Sequence, residues 1–406
     1  MQTVPDAAPN GGRKIVLISG VHDYRTPRRA SIQALADAYV RLGDAVTFIS
    51  VRFSPVSRAK GDHRLFLWPR ANRAERVNGV ECYLWRTPFH PFRTGVSALD
   101  DLAGPLFSAY ASLPNRFIDD ALRGATHIVV ESGLSIMLIH RARRLNPTAR
   151  IVYRASDALH TIDAPPALAA ELRRRADDID AFCAIAPKIA DDFAYAAGKT
   201  YVVSQGIQRA DFAAIGPSPY AGGTNAVTVG SMLFDRSFFL QAAARLPQIQ
   251  FHLIGTGEPF TAPPNVHLYK EMPFTATLPY IKHADIGIAA YRPSANSGYL
   301  AQSSLKLMQY EYLGLPAVCP DYAVGDSPHR FGYGPDDDDG IVQAIGRALA
   351  HGRFAGDATF LDWEEVALRL LAPERYADAA LGAPAPAPNR APPTAPRAET
   401  TAATPS

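Results

Sequence analysis

The segment DIGIAAYRPSANSGYLAQSSLKLMQYEYLGLPAVCP, residues 285–320, contains the repeating unit from which the fold is predicted. It begins with an apolar run at 285–291 and ends with another at 316–320, and both are candidate strands. The stretch between them predicts a helix over 303–313. Strands that are apolar along their whole length are typical of a parallel sheet that helices cover on both faces. This strand–helix–strand unit therefore predicts an α/β fold.

The same alternation extends over most of the chain. Before residue 206, strands are predicted at 14–19, 46–51, 81–86, 127–132, 150–155, 181–186 and 201–205, with helices at 27–42, 135–145, 166–179 and 188–197. After residue 225, further strands are predicted at 226–231, 249–255 and 266–271, with further helices at 235–246, 274–284, 338–352 and 362–380. We therefore predict two doubly wound domains. Because ligands bind outside the carboxyl ends of parallel strands, a site is expected in the cleft between them.

Shifts in composition set the predicted domain boundaries. The units are a disordered N-terminus at 1–12, a first domain at 13–205, a linker at 206–225, a second domain at 226–358, a helical region at 359–382 and a disordered Pro/Ala-rich tail at 383–406. The linker contains the Gly/Pro-rich stretch AAIGPSPYAGGTN, which interrupts the alternation. The two ends have few large apolar side chains, so they cannot offset the entropy of ordering.

The composition of the chain excludes several classes of protein. Its 406 residues are 47% hydrophobic and 20% charged, as in soluble globular proteins, which excludes wholesale disorder, a collagen-like fibre and a multi-pass membrane protein. No apolar run reaches the roughly 18 residues that a spanning helix needs. The three cysteines lie in apolar runs without a CxxC pair, which predicts buried free thiols in a reducing cytosol. The chain is therefore expected in the cytoplasm.

Several enzyme signatures are missing from the sequence. It has no Walker A, HExxH or GxSxG motif, and no GxGxxG after the first strand. These absences disfavour a P-loop enzyme, a zinc protease, a serine hydrolase and a classical dinucleotide-binding fold. The segment GTGEP at 255–259 follows a strand directly. Its glycines either let the backbone approach a ligand or form a plain tight turn.

The helix predicted at 303–313 carries the most specific binding signal. Ser303 or Ser304 can cap it, and the free N–H groups of a helix start attract phosphate. Lys306 lies in its first turn and Gln309 lies three residues later on the same face. A cation there opposes the helix dipole, so a bound diphosphate would explain it. A solvated lysine is the alternative.

Carboxylates and a tyrosine end other predicted strands. Glu271 is placed to accept ribose hydroxyls, and Tyr291 to border or stack on a base. In the first domain, Asp157 is either a general base facing the cleft or the cap of the next helix. Glu131 either supports that site or caps a loop. A surface acid and a half-buried aromatic remain alternatives for the first two residues.

The distribution of charge is uneven along the chain. The formal net charge is +2, but residues 13–93 are strongly basic and the remainder is acidic. The basic residues alternate with aromatic ones, which indicates an anionic membrane surface or a lipid diphosphate as partner. Scattered solvated arginines are the alternative, and no recognisable motif supports nucleic-acid binding. The acidic run at 336–339 is interpreted as a helix cap rather than a metal site.

Seven blocks of the sequence resemble the GumK family of β-glucuronosyltransferases, which act in xanthan-like exopolysaccharide biosynthesis. The blocks are HDYRTPRRASI (22–32), SRAKGDHRL (57–65), ECYLWRT (81–87), VYRASDAL (152–159), VGSMLFD (229–235), YIKHADIGIAAY (280–291) and SSLKLMQYEYLGLPAVCP (303–320). The similarity runs in order over roughly residues 14–376. The loop RPSANSGYLAQ after Tyr291 departs from the family pattern.

The resemblance implies the GT-B fold, in which two Rossmann-like domains enclose a cleft and the last helix returns to the first domain. It implies an inverting transferase that needs no metal or other cofactor. The donor would be UDP-glucuronate, and the acceptor a polyprenyl-diphosphate-linked oligosaccharide with terminal mannose, joined in β linkage. The enzyme would lie peripherally on the inner face of the cell membrane.

The family's functional positions match particular residues of this chain. The catalytic base matches Asp157, and the UDP-binding positions match Met232, Glu271, Tyr291, Lys306 and Gln309, with Leu305 where the family has methionine. That replacement keeps apolar bulk, so contact through packing should survive. Two alternatives remain open: a UDP-sugar epimerase on the same fold, and a non-catalytic protein that binds nucleotide sugars or lipids.

Overall fold

The computed structural model describes the chain from residue 12 to residue 381. Within that range it leaves out residues 28, 94, 96–103, 163, 258–259, 296 and 336. The ends predicted to be disordered lie outside the described residues, apart from residue 12. Part of the GTGEP segment and one aspartate of the acidic run lie outside them as well.

The first domain is built on an eight-stranded sheet with the order β3-β4-β2-β1-β5-β6-β7-β8. Its strands are β1 Lys14–Ser19, β2 Ala45–Phe53, β3 Ala74–Val77, β4 Val80–Arg86, β5 His127–Glu131, β6 Arg150–Ala155, β7 Ala181–Ala184 and β8 Thr200–Val202. Its helices are α1 Ser31–Arg41, α2 Pro55–Ala59, α3 Gly104–Ser112, α4 Arg116–Gly124, α5 Ile139–Leu145, α6 Pro166–Arg174 and α7 Pro187–Ala190. All strand pairs are parallel except β3 with β4.

The second domain has a six-stranded parallel sheet with the order β11-β10-β9-β12-β13-β14. Its strands are β9 Thr224–Val229, β10 Ile249–Ile254, β11 Val266–Tyr269, β12 Ile286–Ile288, β13 Ala317–Pro320 and β14 Arg330–Tyr333. Its helices are α8 Arg236–Arg245, α9 Phe274–His283, α10 Leu300–Ser303, α11 Leu305–Tyr312 and α12 Asp338–His351. The predicted pair of parallel-sheet α/β domains is confirmed.

The central strands are apolar along their length because both of their faces are covered. In β1, Val16 and Ile18 pack into one core cluster, and Ile15 and Leu17 pack into another on the opposite face of the sheet. All four side chains are at most 2% exposed. A strand in this position gains from apolar residues on both faces, which is why the sequence predicts it well.

The last helix, α13 Trp363–Leu371, packs on the first domain although it follows the second in sequence. Its apolar side chains share a core cluster with those of α1. The Tyr39 hydroxyl donates to the carbonyl of Ala367 over 3.1 Å, and Arg41 forms an ion pair with Glu364. The helix therefore ties the end of the chain to α1, one wall of the cleft.

Some element boundaries differ from the predictions. The predicted helix at 303–313 is divided at Ser304, whose extended backbone and side chain cap α11. Strands β11 and β12 end before Glu271 and Tyr291, so both residues lie on loops beyond the strand ends. The linker contains a 3₁₀ turn at Arg209–Phe212. In the acidic run, the Asp337 carboxylate caps α12 by accepting from the Gly340 N–H over 2.8 Å.

Candidate active site

A cavity of about 640 Å³ lies between the two domains at the carboxyl ends of the second sheet. On the second-domain side its wall contains the last residues of β9 and β10, the first turn of α11 and the start of α9. On the first-domain side its wall contains the start of α1 and residues 206–212. This is the location expected for a ligand of two doubly wound domains.

Glycines shape the second-domain wall of the cavity. Gly230 and Gly255 line it directly after β9 and β10, and both have positive φ values, +86° and +62°. These backbone conformations favour glycine, while a Cβ added to Gly255 would be in ordinary contact with the Cα of Glu271 at 3.4 Å. Glu271 is exposed and lines the cavity beside it. Its contact with a ribose stays a prediction.

The start of α11 also lines the cavity on the second-domain side. The Ser304 side chain caps the helix by accepting from the Leu307 N–H over 3.3 Å. Leu305 and Gln309, one turn apart, both line the cavity. Leu305 also packs against the cluster that contains α1 and α13. The helix start therefore faces the cavity and contacts the first domain at the same time.

Lys306 points into the second domain. Its Nζ lies 3.2 Å from the Thr228 hydroxyl and 5.2 Å from the centre of the Tyr291 ring. Burial lowers the pKa of Lys306 to about 7. Among the described residues, no carboxylate forms an ion pair with it. Lys306 itself does not line the cavity, although its neighbour Leu305 does.

Tyr291 is buried next to the start of α11, where it contacts Ser304. Its side chain is 1% exposed, and its hydroxyl lies 2.6 Å from the Ser304 hydroxyl. Such burial leaves no ring face on which a base could stack in this structure. Tyr291 therefore acts here through its packing, and its assignment as a UDP-binding residue stays a prediction.

Met232 lies on the loop that follows β9 and is 45% exposed. The loop is fixed against the segment after β12, because the N–H of Arg292 donates to the carbonyl of Leu233 over 2.7 Å. A bridge between Phe234 and Tyr291 continues this contact. Met232 is thus held near Tyr291, beyond the carboxyl ends of β9 and β12.

Asp157 follows β6 in the first domain and lies at the interface between the domains. Its backbone is held by Ser132, whose hydroxyl donates to the Asp157 carbonyl over 2.9 Å. Burial, together with the nearby Glu131 charge, raises the pKa of Asp157 to about 6, against the opposing effects of Arg154 and the Tyr299 hydroxyl. A carboxylate with a pKa close to neutrality suits general-base catalysis.

A buried ion pair acts on the charge of Asp157 and also contacts the cavity wall. Glu131 and Arg154 are 4% and 2% exposed, and their charged groups are 3.5 Å apart. Ser19 donates to Glu131 over 2.6 Å, and Arg154 donates to the Ser31 hydroxyl, on the cavity wall, over 3.0 Å. The sequence analysis missed Arg154. An arginine inside the apolar run RIVYRA was the available signal, because a charge in such a run needs a buried partner.

The structure therefore groups the predicted residues into two sets. Glu271, Leu305 and Gln309 line the cavity, with Lys306 and Met232 on adjoining backbone. Asp157 lies apart from them in the first domain, and it meets the second domain through Tyr299, whose hydroxyl lies 3.4 Å from its Oδ1.

Comparison with known proteins assigns this arrangement to a family. The sequence is 41% identical over 384 residues to the UDP-glucuronate:glycolipid 2-beta-glucuronosyltransferase of Xanthomonas campestris pv. campestris, a match that covers 93% of this chain and 95% of that protein. Residues 17–185 also match the family described as glucuronosyltransferase GumK, N-terminal domain. This chain belongs to the GumK family of glucuronosyltransferases. The resemblance seen in the sequence is thus confirmed.

Solved structures show the same fold at low sequence identity. Anabaena Alr3699/HepE in complex with UDP-glucose is 13% identical and superposes with a TM-score of 0.55, covering 89% of this chain and 99% of that chain. A glycosyltransferase from Rickettsia africae ESF-5 is 9% identical with a TM-score of 0.52, covering 89% of this chain and 92% of that chain. These neighbours confirm the GT-B fold of this GumK-family protein.

The described residues contain no group of three or more His, Cys, Asp or Glu side chains that could hold a metal ion. Among the described helices, none is long and apolar enough to cross a bilayer.

The basic surface expected on the first domain is smaller than its sequence suggests. Arg25 is 2% exposed and pairs with Asp23 and Glu75. Arg64 is 1% exposed and pairs with Asp62. These two guanidinium groups are therefore paired within the domain and do not add to the basic surface that the sequence predicts.

Other basic residues of the same region remain at the surface. The guanidinium carbons of Arg58 and Arg86 lie 5.2 and 5.0 Å from the centre of the half-buried Trp68 ring. Phe66 is 51% exposed, and Lys60 is exposed as well. We call Arg58, Lys60, Phe66, Trp68 and Arg86 the basic–aromatic face. It combines cations with rings in the way that membrane interfaces favour.

Proposed function

We propose that this protein transfers glucuronate from UDP-glucuronate to the terminal sugar of a polyprenyl-diphosphate-linked oligosaccharide, with inversion to a β linkage, in exopolysaccharide assembly. The observation that carries the proposal is that two elements lie where the two domains meet. Asp157 of the first domain contacts Tyr299 of the second over 3.4 Å, and the glycine-lined wall with its helix start belongs to the cavity between the domains. The 41% identical relative acts on UDP-glucuronate and a glycolipid, which supports the proposed donor and the lipid-linked class of the acceptor.

The chemistry follows from these positions. The acceptor hydroxyl attacks C1 of glucuronate from the face opposite UDP, while Asp157 takes the hydroxyl proton. The C1–oxygen bond to UDP breaks, and the leaving diphosphate gains negative charge. The N–H groups at the start of α11 and the Lys306 ammonium are placed to stabilise that charge. We propose that the step proceeds without a metal, as the family resemblance implies.

The acceptor's lipid gives the basic–aromatic face a role in this proposal. A polyprenyl diphosphate is held in a membrane, so the enzyme must approach the bilayer surface from the cytoplasm. Exposed cations interact with anionic lipid at about 1 kcal/mol each, and an inserted phenyl ring adds about 1.5–3 kcal/mol. We therefore propose that this face rests on the inner surface of the cell membrane.

The doubly substituted variant Phe66→Ser/Lys60→Ser is expected to bind anionic vesicles at least about tenfold more weakly than wild type, because it loses one ring and one charge. The measurement is co-sedimentation with vesicles of phosphatidylethanolamine and phosphatidylglycerol. Leu240→Ser, which changes a side chain 36% exposed on α8 of the second domain, is the matched control and should bind like wild type. Equal binding by the double variant would exclude this face as the docking surface.

A donor screen tests the proposed reaction directly. Purified protein is offered UDP-glucuronate, UDP-glucose and UDP-galacturonate, each with a mannose-terminated polyprenyl-diphosphate acceptor in vesicles. We expect a new glycolipid, seen by mass spectrometry, only with UDP-glucuronate, together with stoichiometric release of UDP. Conversion of the donor without acceptor would indicate an epimerase, and binding without consumption would indicate a non-catalytic protein. Either result would refute the proposal.

A further inference from the structure

Tyr299 belongs to the second domain in sequence but is buried in the core of the first. It ends the 3₁₀ turn Ser297–Tyr299, between β12 and α10. Its side chain is 4% exposed and joins the first domain's core cluster, which also contains Ala158 and Ile189. The turn contacts helix α7 as well. Tyr299 therefore extends from the second domain into the core of the first. It lies in the loop RPSANSGYLAQ, which departs from the family pattern.

The Tyr299 hydroxyl reaches the residues that surround the base. It lies 2.7 Å from Thr161 Oγ1 and 3.4 Å from Asp157 Oδ1. Thr161 in turn lies 2.8 Å from the carbonyl oxygen of Ala158. The contact with Asp157 is longer than the roughly 2.5–3.0 Å that is usual between two oxygens, while the contact with Thr161 has the usual length. A chain of polar groups therefore runs from the carboxylate to the backbone carbonyl.

The linked hydroxyl groups of Tyr299 and Thr161 can hydrogen-bond with Asp157 both when it is ionised and when it is protonated. When Asp157 is ionised, the Thr161 hydroxyl donates to Tyr299, and Tyr299 donates to the carboxylate. When Asp157 has taken a proton, its own O–H donates to Tyr299, Tyr299 donates to Thr161, and Thr161 donates to the Ala158 carbonyl. Two hydroxyl rotations connect the two states, and no heavy atom needs to move. The carboxyl group thus keeps its orientation while it accepts a proton.

A short chain segment connects Tyr299 to the start of α11, which lines the cavity. Helix α10 begins directly after Tyr299 and ends at Ser303, and Ser304 then caps α11. The first domain also holds this path, because the Gln205 side chain donates to the Ser303 carbonyl over 3.2 Å. A ligand that orders the start of α11 therefore acts on the backbone that carries Tyr299.

We propose that Tyr299 is a positioning residue for Asp157, and that it links the base on the first domain to the donor-binding helix on the second. The inference rests on the proposed function for the identity of the base. Neither the sequence patterns nor the known relatives assign a role to Tyr299.

Other charged and titratable groups near Asp157 also influence its pKa. Glu131 at the end of β5 raises its pKa, and Arg154 on β6 lowers it. Tyr153, also on β6, lies within electrostatic reach. None of these groups changes in a variant at position 299, so a shift in the titration of Asp157 reports on the tyrosine.

Tyr299→Phe removes the hydroxyl and keeps the ring. Without a donor to the ionised carboxylate, the pKa of Asp157 should rise by about half a unit, and kcat should fall about fivefold to tenfold with donor KM nearly unchanged. Tyr299→Ala removes the ring as well and admits water, so the pKa should fall towards its ordinary value near 4. The matched control is Tyr220→Phe, which removes a tyrosine hydroxyl whose bond is to the Tyr280 carbonyl, away from the interface.

The shift is measured in two ways, as the acid limb of the kcat/KM profile and as the titration of the Asp157 carboxyl carbon by NMR. Shifts of opposite sign in the two variants support the proposal. A Tyr299→Phe profile and titration equal to those of wild type would overturn it, because a merely structural tyrosine tolerates phenylalanine. The NMR titration needs no substrate. It therefore decides the link between Tyr299 and Asp157 even if the donor screen refutes glucuronate transfer.

Discussion

Replacing Asp157 by asparagine is expected to lower the rate of glycosyl transfer by about 10²–10⁴-fold, the usual contribution of a positioned general base. Asparagine keeps the shape of the side chain but cannot accept the proton of the attacking hydroxyl. Because Asp157 lies in the first domain and apart from the nucleotide wall, UDP affinity should stay within about twofold of wild type. The measurement is turnover under saturating substrates, with UDP binding followed by calorimetry.

The pH dependence of the wild type belongs to the same test. The base is active when ionised, and the pKa of Asp157 is raised to about 6. The rate should therefore be low below pH 5, rise through about pH 6 and level off above pH 7. The variant should lack this rise.

Asp120→Asn is the matched control for position 157. It changes an aspartate on α4, 60% exposed, that pairs with Arg123 on the surface of the same domain. Its turnover and pH profile should equal those of wild type. If Asp157→Asn retains more than about a tenth of wild-type turnover, another group must take the proton, and the assignment of the base is wrong.

The strands were predictable where burial on both faces decides their composition. Strands β1 and β6 begin and end at the predicted residues, because each is central in a sheet covered by helices. Strands β3 and β14 were missed. They lie at the edges of their sheets, and their sequences, AERV and RFGY, carry polar residues that an edge tolerates.

The site was predictable to the level of backbone position, but not to the level of side-chain contact. The positions of Glu271 and Gln309 follow from the ends of a strand and the start of a helix. The burial of Arg25 does not, because its partner Glu75 is fifty positions away in sequence. Tyr299 was out of reach for the same reason, since its partners Asp157 and Thr161 lie in the other domain.

Lys306→Met is expected to weaken UDP binding about tenfold to a hundredfold. Methionine has nearly the same length and apolar stem, so the change removes the charge and its hydrogen bonds to a diphosphate. A hydrogen bond to a charged group contributes about 1.5–3 kcal/mol, and 1.4 kcal/mol corresponds to a factor of ten. The matched control is Lys282→Met, which changes an exposed lysine on α9 and should leave UDP affinity unchanged.

Proton uptake gives a second, sharper signature of this lysine. Burial lowers the pKa of Lys306 to about 7, so at pH 8 the amine is mostly neutral in the free protein. A diphosphate stabilises the ammonium form, so wild type should take up close to one proton per UDP at pH 8 and little at pH 6. Its affinity should therefore fall as pH rises above about 7. Calorimetry in buffers of different ionisation enthalpy measures the uptake, and Lys306→Met should abolish it.

The stability of the same variant separates binding from folding. In the free protein the half-buried Lys306 places its amine against Thr228 and the Tyr291 ring, without a carboxylate partner among the described residues. Burial of a charged group in such a place costs free energy, which an apolar side chain of similar volume does not. The melting temperature of Lys306→Met should thus equal or exceed that of wild type while UDP affinity falls. Wild-type affinity together with persistent proton uptake would show that another cation holds the diphosphate.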